Sequence, residues 1–325
     1  MDESVPSDST LDIVIVNWNT REALADCVVS IGAAADGVSI SRVVIVDNAS
    51  SDDSLDLAVN AAQIPLTVER NASNAGFAAA CNQGAAGSTA DYLLFLNPDT
   101  RLERDTLART LAYLDQPENR DVGICGIRLL DDEGRLTTSA ARFPTPRVIV
   151  GQATGLSRVL PAVFPPHLLT PADCPDTRDV DQVIGAYFVI RRPLFEQLGG
   201  FDERFFVYFE EVDLSLRARL AGYRSVYYAG ATAHHTGGLS SAQVKAARLF
   251  YSLRGRLLYA WKHYSFPERW FVAAVTFGIE GPARMLAALL KGGSAPAETL
   301  LGYRRLFAFV GTPGWSRDRT LQRQP

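Results

Sequence analysis

Cysteine is scarce in this chain: four residues in 325, at 27, 81, 125 and 174, with no C-x-x-C pair. No zinc-spaced set can be built from them, and a chain of this length does not need a disulfide framework. A reducing, cytosolic setting is therefore expected. Long apolar runs are also missing. No stretch of 18 apolar residues occurs, and the nearest, 270–290, is broken by Glu280, Pro282 and Arg284, so no spanning helix is expected. The first ten residues, MDESVPSDST, hold three acids and no apolar run, so they form no signal peptide and are expected to be disordered. Lysine is nearly absent, at 3 of 32 basic residues, which reflects genome composition rather than function. G-x-S-x-G, S-x-x-K, H-E-x-x-H, a Walker A loop and G-x-G-x-x-G are all missing. Their absence excludes the nucleophilic hydrolases, zincins, P-loop enzymes and dinucleotide-binding folds that these motifs mark. There are no internal repeats.

What is present is ordinary globular composition: 47% hydrophobic and 21% charged. The length suits two domains or one large α/β domain. A net charge of −4 and a pI near 5.7 argue against a nucleic-acid partner. That average hides a split. Residues 240–325 hold 13 Lys/Arg against 4 Asp/Glu, and residues 1–239 hold 19 against 32, so an acidic body carries a basic tail.

Short β-branched runs alternate with helical patterns through the first third. Strands are expected over 11–16, 42–46, 66–69, 91–96 and 122–127, and helices over 21–34, 51–62, 75–86 and 104–114. This alternation predicts βαβ units and a parallel sheet covered on both faces, with ligands bound at the strands' C-terminal edge. The polar clusters at Asn17, Asp47-Asn48 and Asn97–Thr100 all follow strands. Beyond residue 127 the pattern predicts a hairpin around the DDEG turn at 131–134. A proline-rich irregular excursion follows over 143–180, holding 7 of 17 prolines. A strand over 183–190, a helix over 210–221 and basic helices from residue 240 complete the reading.

Five places carry candidate chemistry. Asp47, closing a strand in VDNASSDDS, can accept the ring N–H of uracil or thymine, or can share helix N-capping with its neighbours. The segment NASNAGFAAACNQG (71–84) places Gly76 and Gly84 among small residues at a helix start, for close approach of a ligand or for tight helix–sheet packing. Asn97-Pro98-Asp99-Thr100 offers a carboxylate to Mg²⁺ or Mn²⁺, or is simply a turn. Glu210, Glu211 and Asp213 either complement a helix dipole or supply a general base. His234-His235 either completes a metal shell or contacts a diphosphate, or is structural. His167 and His263 have no supporting context.

Taken in order, VIVNWN, VDNASSD, NASNAGFAAACNQG, LFLNPDT, GAYFVIRR, GGFDERFFVYFEEVDLSLRARLAGYR and HHTGG closely resemble the family-2 glycosyltransferases over residues 11–240. Within them the chain resembles bacterial rhamnosyltransferases that extend lipid-linked cell-wall or O-antigen precursors. The resemblance implies a GT-A fold: a mostly parallel α/β sheet flanked by helices, with 11–127 as the nucleotide-binding half, 128–240 as the acceptor half and 241–325 as a basic amphipathic helical extension. It implies a nucleotide-diphosphate sugar donor, a divalent metal (Mg²⁺ or Mn²⁺) and inversion at the anomeric carbon. Carried over by position, Asp47 binds the pyrimidine, Asn17 lines its pocket, and Asn74, Gly76, Asn82 and Asn97 border the nucleotide and donor sugar. Asp99 fills the last place of a D-x-D-like element as metal ligand, and His235 matches a late histidine.

One position departs from the family. Relatives read Glu-Asp-x-Asp where this chain has Glu210-Glu211-Val212-Asp213, so Glu211 replaces the base aspartate. Its extra methylene displaces the carboxylate by about a bond length, a shift that matters in a reaction geometry. Either Glu211 serves as base, or Glu210 or Asp213 takes the role.

The expected activity is transfer of a sugar, L-rhamnose from dTDP-rhamnose, to a glycan or polyprenyl-diphosphate-linked saccharide. A nucleotidyltransferase making an NDP-sugar, or a decayed nucleotide-sugar-binding protein, are the alternatives. The basic, aromatic-rich tail suits binding at the inner face of the cell membrane; the alternative is that its helices pack on the catalytic domain with their arginines solvated.

Overall fold

The computed structural model describes residues 8–237 and 245–316; the expectations for residues 1–7 and for Gly238 lie outside them. The chain divides into two compact units. One comprises Met1–Arg142, Leu168–Glu203 and Glu210–Ser240; the other comprises Phe143–His167, Arg204–Phe209 and Ser241–Pro325.

The first unit is built on strands β1 (Thr10–Asn17), β2 (Ser39–Asp47), β3 (Thr67–Arg70), β4 (Tyr92–Leu96), β5 (Thr100–Leu102), β6 (Val122–Leu130), β7 (Ala140–Ala141), β8 (Arg178–Val180), β9 (Gln182–Val183), β10 (Tyr187–Arg191) and β11 (Arg224–His235). Its helices are α1 (Ala23–Ala34), α2 (Ser54–Ala61), α3 (Phe77–Ala85), α4 (Thr106–Leu114), α6 (Arg192–Gln197) and α7 (Glu210–Leu220). The second unit carries α5 (Pro146–Thr154), α8 (Lys245–His263), α9 (Phe266–Ala274), a π-helical turn (Val275–Glu280), α10 (Gly281–Lys291) and α11 (Ala295–Val310).

The central sheet runs β3-β2-β1-β4-β10-β6-β11-β5, with β8 also on β11. The neighbours from β3 to β4 are parallel, as expected from the long apolar runs of β1, β2 and β4. The sheet is mostly parallel, as expected, and becomes mixed beyond β4. There β10 inserts antiparallel between β4 and β6, and β5 pairs antiparallel with β11. Two reversals restore direction, so β6 and β11 run with β4 and all bring their C-terminal ends to one edge. The residues of β1 alternate between faces. Leu11, Ile13 and Ile15 join Leu24, Ile31 and Leu107 on one side, while Val14 and Val16 join Ala78, Phe188 and Leu214 on the other.

Three local expectations change. The strand predicted over 183–190 is two pieces, because β9 leaves to pair with β7 while β10 enters the main sheet. The predicted hairpin reduces to a long β6 and one bridge, Leu130 to Leu136, around a turn in which the Asp131 carboxylate accepts from the Glu133 and Arg135 amides. The excursion over 143–180 contains α5, which has Pro146 in its first turn and Thr145 accepting from the Val148 amide.

The helical unit has its own core: Leu253, Leu257, Tyr303 and Leu306 in one cluster, Ile149, Ala260, Val272 and Val275 in another. By length and composition alone, Phe266–Lys291 is long and apolar enough to cross a membrane. Pro282 sits in the first turn of α10, where its missing N–H costs least. Glu280, midway along, is buried and ion-paired with Arg256 and Arg284, so the unit itself neutralises its charge.

Candidate active site

The edge of the sheet gathers the first group of predicted residues. Asn17 and Asp47 are register partners at the ends of β1 and β2. Asn17 is fully buried, and its Nδ2 donates to Asp47 Oδ1 at 2.8 Å and to the hydroxyls of Ser54 (2.8 Å) and Ser50 (3.1 Å), while its Oδ1 accepts from Thr20 Oγ1 at 2.5 Å. The other Asp47 oxygen accepts from the Ser50 amide at 3.2 Å. Helix capping is thus not the task of Asp47. Asp52 takes the local turn instead, accepting from the Ser54 amide and hydroxyl. Asp47 is a nearly buried carboxylate whose orientation is fixed by an amide donor, an arrangement able to accept a ring N–H.

Sequence reasoning missed Asn48 as a site residue. Its buried side chain accepts from Asn71 Nδ2 (2.9 Å) and the Ala75 amide (3.4 Å) and donates to the Gly76 carbonyl (3.2 Å). It thereby ties the strand end to the whole 71–76 loop. The signal available was its place directly after Asp47, where a carboxamide can donate and accept at once. Within that loop Asn74 Oδ1 accepts from the Gly76 amide at 2.9 Å. Gly76 has φ 91° and ψ 167°, a conformation that favours glycine, and leads into α3.

The two readings of the small-residue helix now separate. A Cβ on Gly84 would stand 2.5 Å from Val14 Cγ1 and 3.1 Å from Val46 Cγ2, so Gly84 serves close packing of α3 on the sheet. Asn82 is a clip: its Nδ2 donates to the Phe201 carbonyl (2.9 Å) and Glu203 Oε1 (3.0 Å), and its Oδ1 accepts from the Phe201 amide (2.8 Å).

The second group lies at the end of β4. The turn from Asn97 to Thr100 is pinned by the Ala186 carbonyl, which accepts from the Asn97 amide (3.0 Å) and the Thr100 hydroxyl (3.2 Å). Because β11 pairs with β5 in the register His235 to Thr100, the late histidine is carried beside Asp99, with Nε2 3.3 Å from Oδ1. That Nε2 is buried and has no aligned hydrogen-bond partner among the described residues. His234 instead meets Glu103 at 2.8 Å. A carboxylate and an imidazole, adjacent and shielded, fit a divalent cation completed by other oxygens. Among the described residues, no group of three His, Cys, Asp or Glu side chains stands close enough together to hold a metal ion.

The third group is the first turn of α7. Glu210 is buried with Oε2 lacking a hydrogen-bond partner, and burial, with the adjacent Glu211 carboxylate, pushes it well above the usual carboxyl range. Glu211 is half-buried. Asp213 is fully buried and paired with Arg217 at 2.7 Å; Arg217 in turn donates to the carbonyls of Leu198 and Gly200. That network occupies Asp213 in holding the 198–200 turn.

Three comparisons bear on these groups. The family model for glycosyl transferase family 2 matches residues 12–199. An N-acetylglucosaminyl-diphospho-decaprenol L-rhamnosyltransferase of Mycobacterium tuberculosis is 30% identical over 228 residues, covering 64% of this chain and 70% of that protein. Rhamnosyltransferase WbbL of Escherichia coli K12 is 31% identical over 140 residues, 42% of this chain and 49% of its own. Among solved structures, a mannosyltransferase of Pyrobaculum calidifontis in complex with GDP-Man and Mn²⁺ superposes with a TM-score of 0.55 over 93% of this chain and 90% of that one. At 16% identity, this is a likeness of fold.

Proposed function

The chain belongs to glycosyl transferase family 2, and from that premise we propose that it transfers L-rhamnose from dTDP-rhamnose, with inversion, to a hydroxyl of a polyprenyl-diphosphate-linked saccharide. It is a glycosyltransferase; the family match does not favour the nucleotidyltransferase and decayed-binding alternatives. The observation that carries the site assignment is the Asn17–Asp47 pair at the same sheet edge as the Asp99–His235 pair.

In this reading Asp47 accepts the ring N–H of the thymine, and Asn17 keeps the carboxylate aimed. Asn74, Gly76 and Asn97 border the nucleotide and sugar, and Asn82 contributes through the 200–203 segment that it clips. Asp99 and His235 are the residues that would hold a divalent cation, which when bound supplies charge stabilisation for the leaving diphosphate. Glu211 takes the proton from the acceptor hydroxyl as its oxygen attacks the anomeric carbon. Glu210 is the alternative base: burial and the neighbouring Glu211 carboxylate raise its pKa, which favours its protonated form.

The helical unit provides the membrane contact in this proposal, at the inner face of the cell membrane. Phe266, Trp270, Phe271, Leu289, Leu290 and Phe307 are exposed, with Lys291, Arg304 and Arg305 also exposed in the same unit. Exposed aromatic and aliphatic groups beside basic ones suit an anionic lipid surface.

The test is a panel of dTDP-, UDP- and GDP-sugars offered with Mg²⁺ or Mn²⁺ and polyprenyl-diphosphate-N-acetylglucosamine. Product mass should show one added deoxyhexose, from dTDP-rhamnose. A different sugar mass would reassign the donor, and no product from any donor would refute the acceptor class.

A further inference from the structure

The acids of α7 follow a strained turn. Tyr208 and Phe209 have φ of 69° and 74°, in the left-handed region that costs a bulky L residue about 1–2 kcal/mol. Two in succession persist only where their surroundings over-determine them. Those surroundings are one stripe of α8. Tyr251 stacks on Phe206 with centroids 4.5 Å apart, Arg254 Nη2 donates to the Arg204 carbonyl at 3.2 Å, and the Tyr259 ring lies 5.8 Å from that of Phe209. Positions 251, 254, 255 and 259 share a helix face, so the 204–209 segment lies along α8.

Gly255 is at the middle of that stripe. Its own backbone is ordinary helix, where glycine costs about 1 kcal/mol against alanine. What the position requires is space: a Cβ there would stand 2.8 Å from the Tyr208 carbonyl oxygen and 3.0 Å from Phe209 Cδ2. A backbone carbonyl cannot swing aside as a side-chain tip can, so an added methyl must move either the turn or the helix.

We infer that Gly255 is a positioning residue for sugar transfer. By letting α8 close on the Tyr208 carbonyl, it fixes the left-handed turn from which the chain passes directly into Glu210 and Glu211. The inference rests on the reading of Glu211 as proton acceptor. Glu211 follows the turn by two residues, so a shift of the turn passes along the chain into the start of α7.

The experiment compares full-length Gly255→Ala, Gly302→Ala, Tyr259→Leu and Glu211→Gln, using dTDP-rhamnose or whichever donor the panel returns. Gly302→Ala is the control: in the same helical unit, its Cβ would meet the flexible Leu249 side chain at 2.9 Å, with the Ala246 carbonyl oxygen further off at 3.3 Å. Gly255→Ala should lower kcat about 10-fold or more with donor KM within about two-fold, because misplacements near 1 Å can cost up to about 100-fold. Gly302→Ala should lose melting temperature but keep kcat. Tyr259→Leu removes a ring from Phe209 without adding bulk and should lower kcat about three-fold, which decides the matter if Gly255→Ala does not fold. Unchanged kcat in Gly255→Ala, or equal kcat losses in both glycine variants, would overturn the positioning role. A kcat loss in Gly255→Ala beside normal turnover in Glu211→Gln would sustain that role and remove Glu211 as base.

Discussion

Asn17→Ala tests the organisation of the nucleotide edge. The substitution deletes four hydrogen bonds of a fully buried amide: the donations to Asp47, Ser54 and Ser50 and the acceptance from Thr20. Two partners keep other contacts, since the Ser54 hydroxyl donates to Asp52 and Ser50 Oγ accepts from the Asn19 amide. Asp47 and Thr20 lose most. Asp47 retains only the weaker 3.2 Å bond from the Ser50 amide among its described partners. A hydrogen bond to a charged group contributes about 1.5–3 kcal/mol and a neutral one about 1 kcal/mol, so a loss of about 3 kcal/mol is expected. That is a large share of a typical stability of about 5–15 kcal/mol. The released carboxylate also loses its aim, which should weaken dTDP binding about 10-fold, or about 1.4 kcal/mol. Urea denaturation and calorimetric titration with dTDP read the two effects. A stability change below about 0.5 kcal/mol with unchanged dTDP affinity would refute the claim that Asn17 orients Asp47.

Asp99→Ala should abolish transfer and cut Mn²⁺ affinity, measured by paramagnetic relaxation of water, with the fold retained by circular dichroism; full activity would remove Asp99 as the cation ligand. Gly84→Ala should destabilise by about 1–3 kcal/mol through overpacking against Val14 and Val46, and a neutral result in denaturant melts would show that α3 can back away from the sheet. Glu210 has a folded-state pKa raised by burial and by Glu211, so its contribution to stability is full below the unfolded carboxyl pKa and is lost as pH rises toward the folded value. Glu210→Gln should therefore stabilise the protein more at pH 8 than at pH 4, and equal effects at both would show that the group is not buried as a neutral acid.

Local sequence carries some of this and not the rest. The strands β1, β2 and β4 were legible because short, continuous apolar runs buried on both faces have no helical periodicity. The polar residues ending them were legible for the same reason, since Asn17, Asp47 and Asn97–Asp99 stand where apolar sequence stops. The antiparallel β10 was not legible. Nothing in YFVIR states a direction or a neighbour, and its pairing with Leu96–Tyr92 is a contact across about ninety positions. The 183–190 run likewise divides between two sheets on tertiary grounds alone.

For the site, the residue types were readable in the chain: an amide and a carboxylate at adjoining strand ends, a glycine entering α3, a carboxylate after β4 and three acids opening α7. These are local chemistry, written in consecutive letters. Only the tertiary structure decided their partners. Register between β5 and β11 sets His235 against Asp99, Asn48 gathers a loop more than twenty residues away, and Asn82 is spent on the Phe201 backbone and the Glu203 carboxylate. Arg217 claims Asp213, and α8 holds the turn before Glu210. Each of these is a long-range contact, and long-range contacts are chosen by which packed surfaces meet, a choice that no short window of sequence contains.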